Sequence, residues 1–190
     1  MVVVGRKVLQ AAPPSASCRT ADQVISQTPE LSQLAGLLGS LSGPLRSELS
    51  TRAGNAFTFF APSNGALASL LKMLPDARAG GAPELVRNST ALTALLSYHL
   101  VPGEALTAAQ LGDGAMLRTA LGGTAPLRVR RADGSVVIVG VGSEAVVTQP
   151  DLRTCKGVIH IVDTVLLPVD SFGRAGGAAT PGASSSSSRG

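Results

Sequence analysis

Apolar residues recur at helical spacing through the first half of the chain. Leucines make three stripes with this spacing: Leu31, Leu34, Leu38 and Leu41; Leu67, Leu70, Leu71 and Leu74; and Leu92, Leu95 and Leu96. The spacing of three and four residues predicts amphipathic helices between residues 21 and 98. A short β-prone run over residues 57–61 interrupts the helices and ends at Pro62.

The hydrophobic period changes to two after Leu111. Apolar and arginine residues alternate over residues 127–131, and Asp133-Gly134 then precedes a run of four β-prone residues at 136–139. Asp-Gly between two such runs predicts a tight hairpin. Further β segments are predicted at 146–147, 159–162 and 165–167. Helices first and antiparallel strands second predict the α+β class.

The two ends of the 190-residue chain differ from its middle. Residues 1–17 are predicted to be a flexible lead-in, 18–170 a single domain, and 171–190 a disordered tail rich in Gly, Ala and Ser. The start is a poor secretion signal, because the apolar run Val2 to Val4 precedes Arg6 and Lys7 instead of following them. Either the chain is not exported by that route or its true beginning is missing. No apolar run approaches the roughly 20 residues that a membrane-spanning helix needs.

The net charge of +4 comes from the ends of the chain. The predicted domain holds 12 basic and 12 acidic residues, so it is neutral, which argues against a nucleic-acid partner. The densest basic cluster, Arg128, Arg130 and Arg131, is predicted to be a solvated strand face. The chain has no Trp and one Tyr, so stacking of bases or sugars on aromatic rings is also disfavoured.

A glycine string from Gly140 to Ala145 has the G-x-G-x-x-A pattern of dinucleotide-binding enzymes. That site needs a helix directly after the glycines to hold the pyrophosphate. The residues that follow, at positions 146–150, favour a strand and a turn. The string is therefore predicted to be a bend between two strands.

The sequence offers no catalytic set, and we predict neither an enzyme nor a bound cofactor or metal. Its only imidazole and thiol groups are His99, His160, Cys18 and Cys155, without the short spacings of a zinc site. Both histidines are predicted to be structural. The sequence contains no G-x-S-x-G nucleophile elbow and no pair of carboxylates at helical or strand spacing, so nothing in it indicates a hydrolase.

The two cysteines stand near the two ends of the predicted domain. A Cys18–Cys155 disulfide would close almost the whole domain and would persist only in an oxidising compartment. Two separate buried thiols are the alternative. Asn88-Ser89-Thr90 fits the acceptor pattern for an N-linked glycan at Asn88, and it equally fits a helix cap.

Three segments of the chain resemble successive signatures of the fasciclin (FAS1) domain family. They are Phe57-Thr-Phe-Phe-Ala-Pro-Ser-Asn64, Leu96-Ser-Tyr-His-Leu-Val-Pro-Gly103 and Lys156-Gly-Val-Ile-His-Ile-Val-Asp-Thr-Val-Leu-Leu-Pro168. The resemblance covers about Cys18 to Val169. Lys156 departs from it, because the family usually has Asn before this glycine. The cysteine placement and the alanine content resemble green-algal members.

The resemblance implies a FAS1 fold, in which helices pack around a wedge of two mainly antiparallel β-sheets. It also implies an adhesion module of the extracellular matrix or cell wall, which binds a protein or a glycan without catalysis. The family's Tyr-His adhesion motif and its apolar flanks correspond to Tyr98, His99, Leu96 and Leu100. The Asp-Ile motif of some members corresponds to Asp151 and Leu152.

Two alternatives stay open at this point. Tyr98 and His99 lie between a predicted helix and a predicted strand, where burial and hydrogen bonding alone would account for them. Some algal members carry carotenoids, so the resemblance also allows a carrier of a small apolar ligand.

Overall fold

The computed structural model describes residues 18–73, 89–122 and 126–168. The predicted lead-in 1–17, the predicted tail 171–190 and Asn88 lie outside these described residues. The predictions made for them therefore stay predictions.

Helices occupy most of the described residues before residue 99. They are α1 (Ala21–Gln27), a 3₁₀ turn (Pro29–Leu31), α2 (Ser32–Ser40), α3 (Pro44–Ser50), α4 (Asn64–Met73) and α5 (Ser89–Tyr98). Helix α1 begins with a capping box, in which the Thr20 hydroxyl accepts from the Gln23 N–H and the Gln23 side chain accepts from the Thr20 N–H. The predicted leucine stripes are buried, except that Leu71 is half-buried and Leu74 lies outside the described residues.

Seven strands form one continuous hydrogen-bonded sheet in the order β2-β1-β7-β6-β5-β4-β3. They are β1 (Phe57–Pro62), β2 (Leu100–Pro102), β3 (Met116–Leu117), β4 (Leu127–Ala132), β5 (Ser135–Val139), β6 (Glu144–Arg153) and β7 (Gly157–Val162). Among the strand pairs of the described residues, β1–β7 is parallel and the others are antiparallel. The α+β prediction with mainly antiparallel strands is confirmed. The wedge of two separate sheets is not confirmed, because β6 pairs with both β5 and β7 and joins the two halves.

The predicted hairpin between β4 and β5 is confirmed. Asp133 and Gly134 have φ angles of 50° and 80°, the positive values that a two-residue turn of this kind requires. The prediction of a β segment at residues 165–167 was wrong. The backbone N–H groups of Leu166 and Leu167 donate to the side chains of His99 and Ser143, so they are not available to a neighbouring strand.

The core lies on both faces of the central strands β1 and β7. On one face, Phe57, Phe59 and Ile159 pack with the leucines of the helices. On the other face, Phe60 and Val162 pack against the inward side chains of β4 and β5. Both strands are buried along their whole length, which explains why their sequences are mostly apolar rather than alternating, with Thr58 and His160 as the buried polar exceptions.

Candidate functional site

Tyr98, the last residue of α5, is fully buried against the glycine bend between β5 and β6. A Cβ added to Gly140 would lie 3.2 Å from the tyrosine oxygen and 3.3 Å from its Cε1 atom. The Tyr98 oxygen accepts a hydrogen bond from the Val141 N–H at 3.2 Å. Burial raises the pKa of the phenol, so it stays protonated. Tyr98 thereby fixes the backbone of Val141, whose side chain is 47% exposed.

His99 is also fully buried, and both of its ring nitrogens are hydrogen-bonded. Nδ1 lies 2.8 Å from the Leu95 carbonyl oxygen, and the Leu166 N–H donates to Nε2 at 2.9 Å. A carbonyl only accepts and a backbone N–H only donates, so the ring must be neutral with its proton on Nδ1. Burial lowers the pKa of His99 to about 4, which agrees with this neutral form.

Two loop segments, residues 140–143 and 163–168, are hydrogen-bonded to each other next to Tyr98 and His99, and we call them the loop pair. Val141 and Asp163 are exposed in them, whereas Val165 and Leu166 are buried. The Ser143 hydroxyl donates to the Val165 carbonyl and accepts from the Leu167 N–H, each at 2.9 Å. The Gly142 N–H donates to the Leu167 carbonyl at 3.1 Å. Tyr98 hydrogen-bonds the first segment at Val141, and His99 hydrogen-bonds the second segment at Leu166. The buried Tyr-His motif therefore fixes the backbone of the loop pair.

The four residues predicted around the Tyr-His motif all have buried side chains. Leu96 and Leu100 belong to the same apolar cluster as the helices, and Tyr98 and His99 make the hydrogen bonds described above. The structure therefore gives each of them a packing or positioning role. Direct contact of these side chains with a partner stays a prediction.

Asp151 and Leu152 lie at an irregularity in β6, away from the loop pair. Asp151 has a φ of 64°, and its carboxylate accepts from the Ala108 N–H at 2.8 Å. Leu152 is half-buried against the helical cluster. Asp151 thus has an exposed side chain that holds the loop before β3, and its role in binding stays a prediction.

His160 completes the interactions at this irregularity. Its Nε2 lies 2.9 Å from the Leu106 carbonyl oxygen, and its Nδ1 accepts from the Asp151 N–H at 3.3 Å. The ring stacks on Phe60 with centroids 5.6 Å apart. Burial lowers the pKa of His160, so this histidine is neutral as well. Both histidines thus have structural partners, as the sequence predicted.

The glycine string forms the predicted bend. Strand β6 begins at Glu144, directly after the bend, so a strand and not a helix follows the glycines. Of the three clustered arginines, Arg131 donates to the carbonyls of Leu111 and Ala108 and holds that loop. Arg130 pairs with Glu144 across the outside of the sheet at 2.5 Å. These contacts leave Arg128 exposed on the outer side of β4.

Within the part of the chain that the structure describes, no three His, Cys, Asp or Glu side chains are grouped to hold a metal ion. None of the helices in that part is long and apolar enough to cross a membrane. One of the larger surface clefts, of about 540 Å³, is open and lined by polar residues such as Glu30, Asn64 and Gln149. Carotenoid binding stays a prediction, which a visible absorption band in natively purified protein would check.

The predicted disulfide between Cys18 and Cys155 is present, with the two Cα atoms 5.0 Å apart. It attaches the segment before α1 to the turn between β6 and β7. The Cys155 N–H also donates to the Arg19 carbonyl at 2.8 Å, so the junction is held by a hydrogen bond as well.

The sequence did not identify Ser143 or Val141 as candidate residues. The Ser143 hydroxyl hydrogen-bonds the Val165 carbonyl and the Leu167 N–H in the second segment of the loop pair. A tertiary contact of this kind leaves no local pattern in the sequence. Val141 did carry a signal, because a β-branched apolar residue between two glycines has no strand or helix face on which to be buried.

Comparison with known protein families gives one match that covers most of the described residues. The family model of the Fasciclin domain matches residues 26–168. Among solved structures, a FAS1 domain pair from the insect cell adhesion molecule Fasciclin I is similar, with a TM-score of 0.65 and 22% sequence identity. That similarity covers 78% of this chain and 51% of the insect chain, and at this identity it shows the fold alone.

Two curated relatives are similar in sequence. Protein sll1483 of Synechocystis is 37% identical over 118 residues, which is 61% of this chain and 57% of that protein. Immunogenic protein MPB70 of Mycobacterium bovis is 30% identical over 148 residues, which is 75% of this chain and 66% of that protein. The chain thus spans about three fifths to two thirds of the length of these relatives. A particular likeness to green-algal members stays a prediction.

Proposed function

Because the chain belongs to the fasciclin domain family, we propose that it is a non-catalytic adhesion module of the extracellular matrix or cell wall. Its partner in this proposal is a matrix or cell-surface protein or glycan. The similar FAS1 pair belongs to a molecule that is described as a cell adhesion molecule, which supports the proposal by family likeness.

The observation that carries the proposal is the support of the loop pair by Tyr98 and His99. A binding surface gains affinity when its loops are already ordered, since less conformational entropy is lost on association. Here two buried side chains and Ser143 fix the backbone of both segments. Val141 and Asp163 are exposed on the ordered loops and offer an apolar and an acidic contact.

The test measures binding of beads coated with the full chain to matrix isolated from the native source. We expect Val141→Asp to reduce binding at least several-fold, because it places a charge on the exposed apolar contact. Leu121→Asp is the matched control, since Leu121 is also an exposed apolar residue but lies outside the loop pair.

Circular dichroism and thermal unfolding of each variant separate binding from folding. Tyr98→Phe should keep the fold and weaken binding less than Val141→Asp, because it removes only the hydrogen bond to the Val141 backbone. Equal binding by wild type, Val141→Asp and Leu121→Asp would reject the loop pair as the contact surface. A wild-type chain that binds no matrix at all would reject the function.

The extracellular location has its own support in the disulfide. Such bonds persist in oxidising compartments and are rare in the cytosol. Mass measurement of the native protein without reductant should show the intact Cys18–Cys155 bond, and a mass decrease on deglycosylation would show a glycan at Asn88. Two free thiols in the native protein would contradict the proposed location.

A further inference from the structure

The outward side of strands β3 to β6 is a second exposed surface, separate from the loop pair. The helices pack on β1 and β7, whereas Met116, Arg128 and Glu144 on the outward side of β3, β4 and β6 are exposed. Met116 alone is 64% exposed. We call the outward side chains of these four strands the outer face. They are Met116, Arg128, Arg130, Val137, Val139, Glu144 and Val146. Val137 is buried at 5% exposure, and Val139 and Val146 are half-buried, so the charged side chains and Met116 form the accessible part of this face.

One row of side chains crosses the outer face from edge to edge. The strand register pairs Met116 with Arg128, Arg128 with Val139, and Val139 with Glu144. Residues directly opposite each other on neighbouring strands share one face and lie roughly 5 Å apart. The intervening residues Val129 and Ile138 are in the core, which confirms that this row points outward.

The charges in this row are arranged symmetrically about Val139. Arg128 lies one strand away on one side, and Glu144 lies one strand away on the other. A two-fold axis that runs along β5 over Val139 exchanges the two sides. It would therefore place Arg128 of one copy over Glu144 of a second copy, and would do so twice.

We propose that the outer face is a homotypic contact, in which a second copy of this chain packs face to face about this axis. Val139 would meet its counterpart at the centre, and the two Arg128–Glu144 pairs would lie on either side. This inference goes beyond the proposed function, because it concerns another surface and would hold even for a chain that binds no matrix.

The size of the outer face makes the contact weak. Strand β5 has five residues and β3 only two, so the four strands give a patch of at most roughly 20 Å by 17 Å. That is well below the roughly 800 Å² per partner of a standard stable interface. Glu144 also pairs with Arg130 of its own chain, and both side chains are 53% exposed, so solvent screens these charges. Association is expected only at high concentration or where many copies are arrayed side by side.

Analytical ultracentrifugation of the full oxidised chain tests the proposal across a concentration series that reaches the millimolar range. The wild type should show concentration-dependent dimers at low salt and lose them at high salt. Arg128→Glu and Glu144→Arg should each be monomeric, because each homodimer would bring like charges together. An equimolar mixture of the two variants should dimerise again, since the heterodimer restores both opposite-charge pairs.

Two further variants separate this contact from general effects on charge or folding. Arg153→Glu makes the same charge change on an exposed residue of β6 that is not on the outer face, and it should dimerise like the wild type. Val139→Lys should stay monomeric, because the dimer would bring two lysine side chains together on the two-fold axis. A wild type that stays monomeric throughout the series would overturn the proposal. Dimers formed by both Arg128→Glu alone and Glu144→Arg alone would also overturn it. So would a mixture of these two variants that dimerises no more than either variant by itself.

Discussion

Gly157 lies against Phe57 so closely that a Cβ at position 157 would be 2.5 Å from the Phe57 carbonyl oxygen and 2.7 Å from its ring. The two residues are register partners in the parallel pair of β1 and β7. The glycine is thus required by close approach of backbone to backbone and ring, not by its dihedral angles.

Gly157→Ala should therefore destabilise the protein. The added methyl cannot be accommodated unless β1 or β7 moves, and overpacking of this kind costs about 1–3 kcal/mol. Gly36→Ala is the matched control: Gly36 lies in α2, nothing lies within 4 Å of its Cβ position, and alanine is the better helix former. Urea unfolding of both variants checks the contrast, and equal stabilities would contradict the close approach.

The stability of the fold should fall as the solution becomes acidic. The unfolded His99 ring has its ordinary pKa of 6.5, whereas the folded ring has a pKa of about 4. Stabilisation by neutral His99 is therefore complete above pH 6.5 and is lost progressively as the pH falls toward 4, by about 3 kcal/mol in all. Burial also lowers the pKa of His160, so that histidine contributes in the same direction.

Denaturant unfolding from pH 7 to pH 4 measures this dependence. His99→Gln should be less stable than the wild type at pH 7, and the difference between the two should shrink as the pH falls. The comparison isolates His99, since His160 and the carboxylates are present in both proteins. A difference that does not change with pH would mean that His99 is not held in the neutral form.

Reduction of the disulfide should lower the stability without removing a core side chain. The bond joins positions separated by 137 residues. In the chain-entropy account, closing a loop of this length stabilises the folded state by about 5 kcal/mol, an upper value that strain reduces. Thermal unfolding with and without dithiothreitol checks the effect, with the Cys18→Ser/Cys155→Ser double variant as the control that reductant should not alter.

Removing the acidic partner of Lys156 should lower the free energy of unfolding more than removing the lysine charge itself. The Lys156 side chain is 7% exposed; its ammonium bonds Glu48 at 2.8 Å and lies 5.5 Å from the centre of the Phe57 ring. Glu48→Gln leaves that ammonium without its carboxylate, with an expected loss of about 2 kcal/mol. Lys156→Met keeps the aliphatic contact and removes the charge, so its loss should be below about 1 kcal/mol. The reverse order of stabilities in urea would contradict this account.

The local elements of the fold could be predicted from the sequence because they depend on short-range patterns. The leucine spacing predicted α2, and Asp133-Gly134 predicted the β4–β5 hairpin. The pairing of β1 with β7 could not be predicted from spacing, since Phe57 and Gly157 lie far apart in sequence and their contact depends on the whole chain. The composition of the chain ends already indicated one domain, and the FAS1 resemblance indicated that these two segments both belong to it.

The candidate site shows a similar division. The Tyr-His motif was identified, and burial of both residues was one of the two alternatives left open. The sequence could not decide between burial and surface contact, because the same residue types serve equally at a surface or in a core. The segment 165–167 was misassigned as a strand for a related reason. Its apolar residues are typical of strands, and only the contacts with Ser143 and His99 prevent strand pairing.

The position of the disulfide determines how the domain would carry mechanical load. When the described region is pulled from its two ends, tension passes from Cys18 through the sulfur atoms to Cys155 and then along β7. The helices and the strands β1 to β6 lie inside the covalent loop and are not stretched. Extension is then resisted by the hydrogen bonds of residues 163–168 to the first segment of the loop pair and to His99, and by β7, which is clamped between β1 and β6.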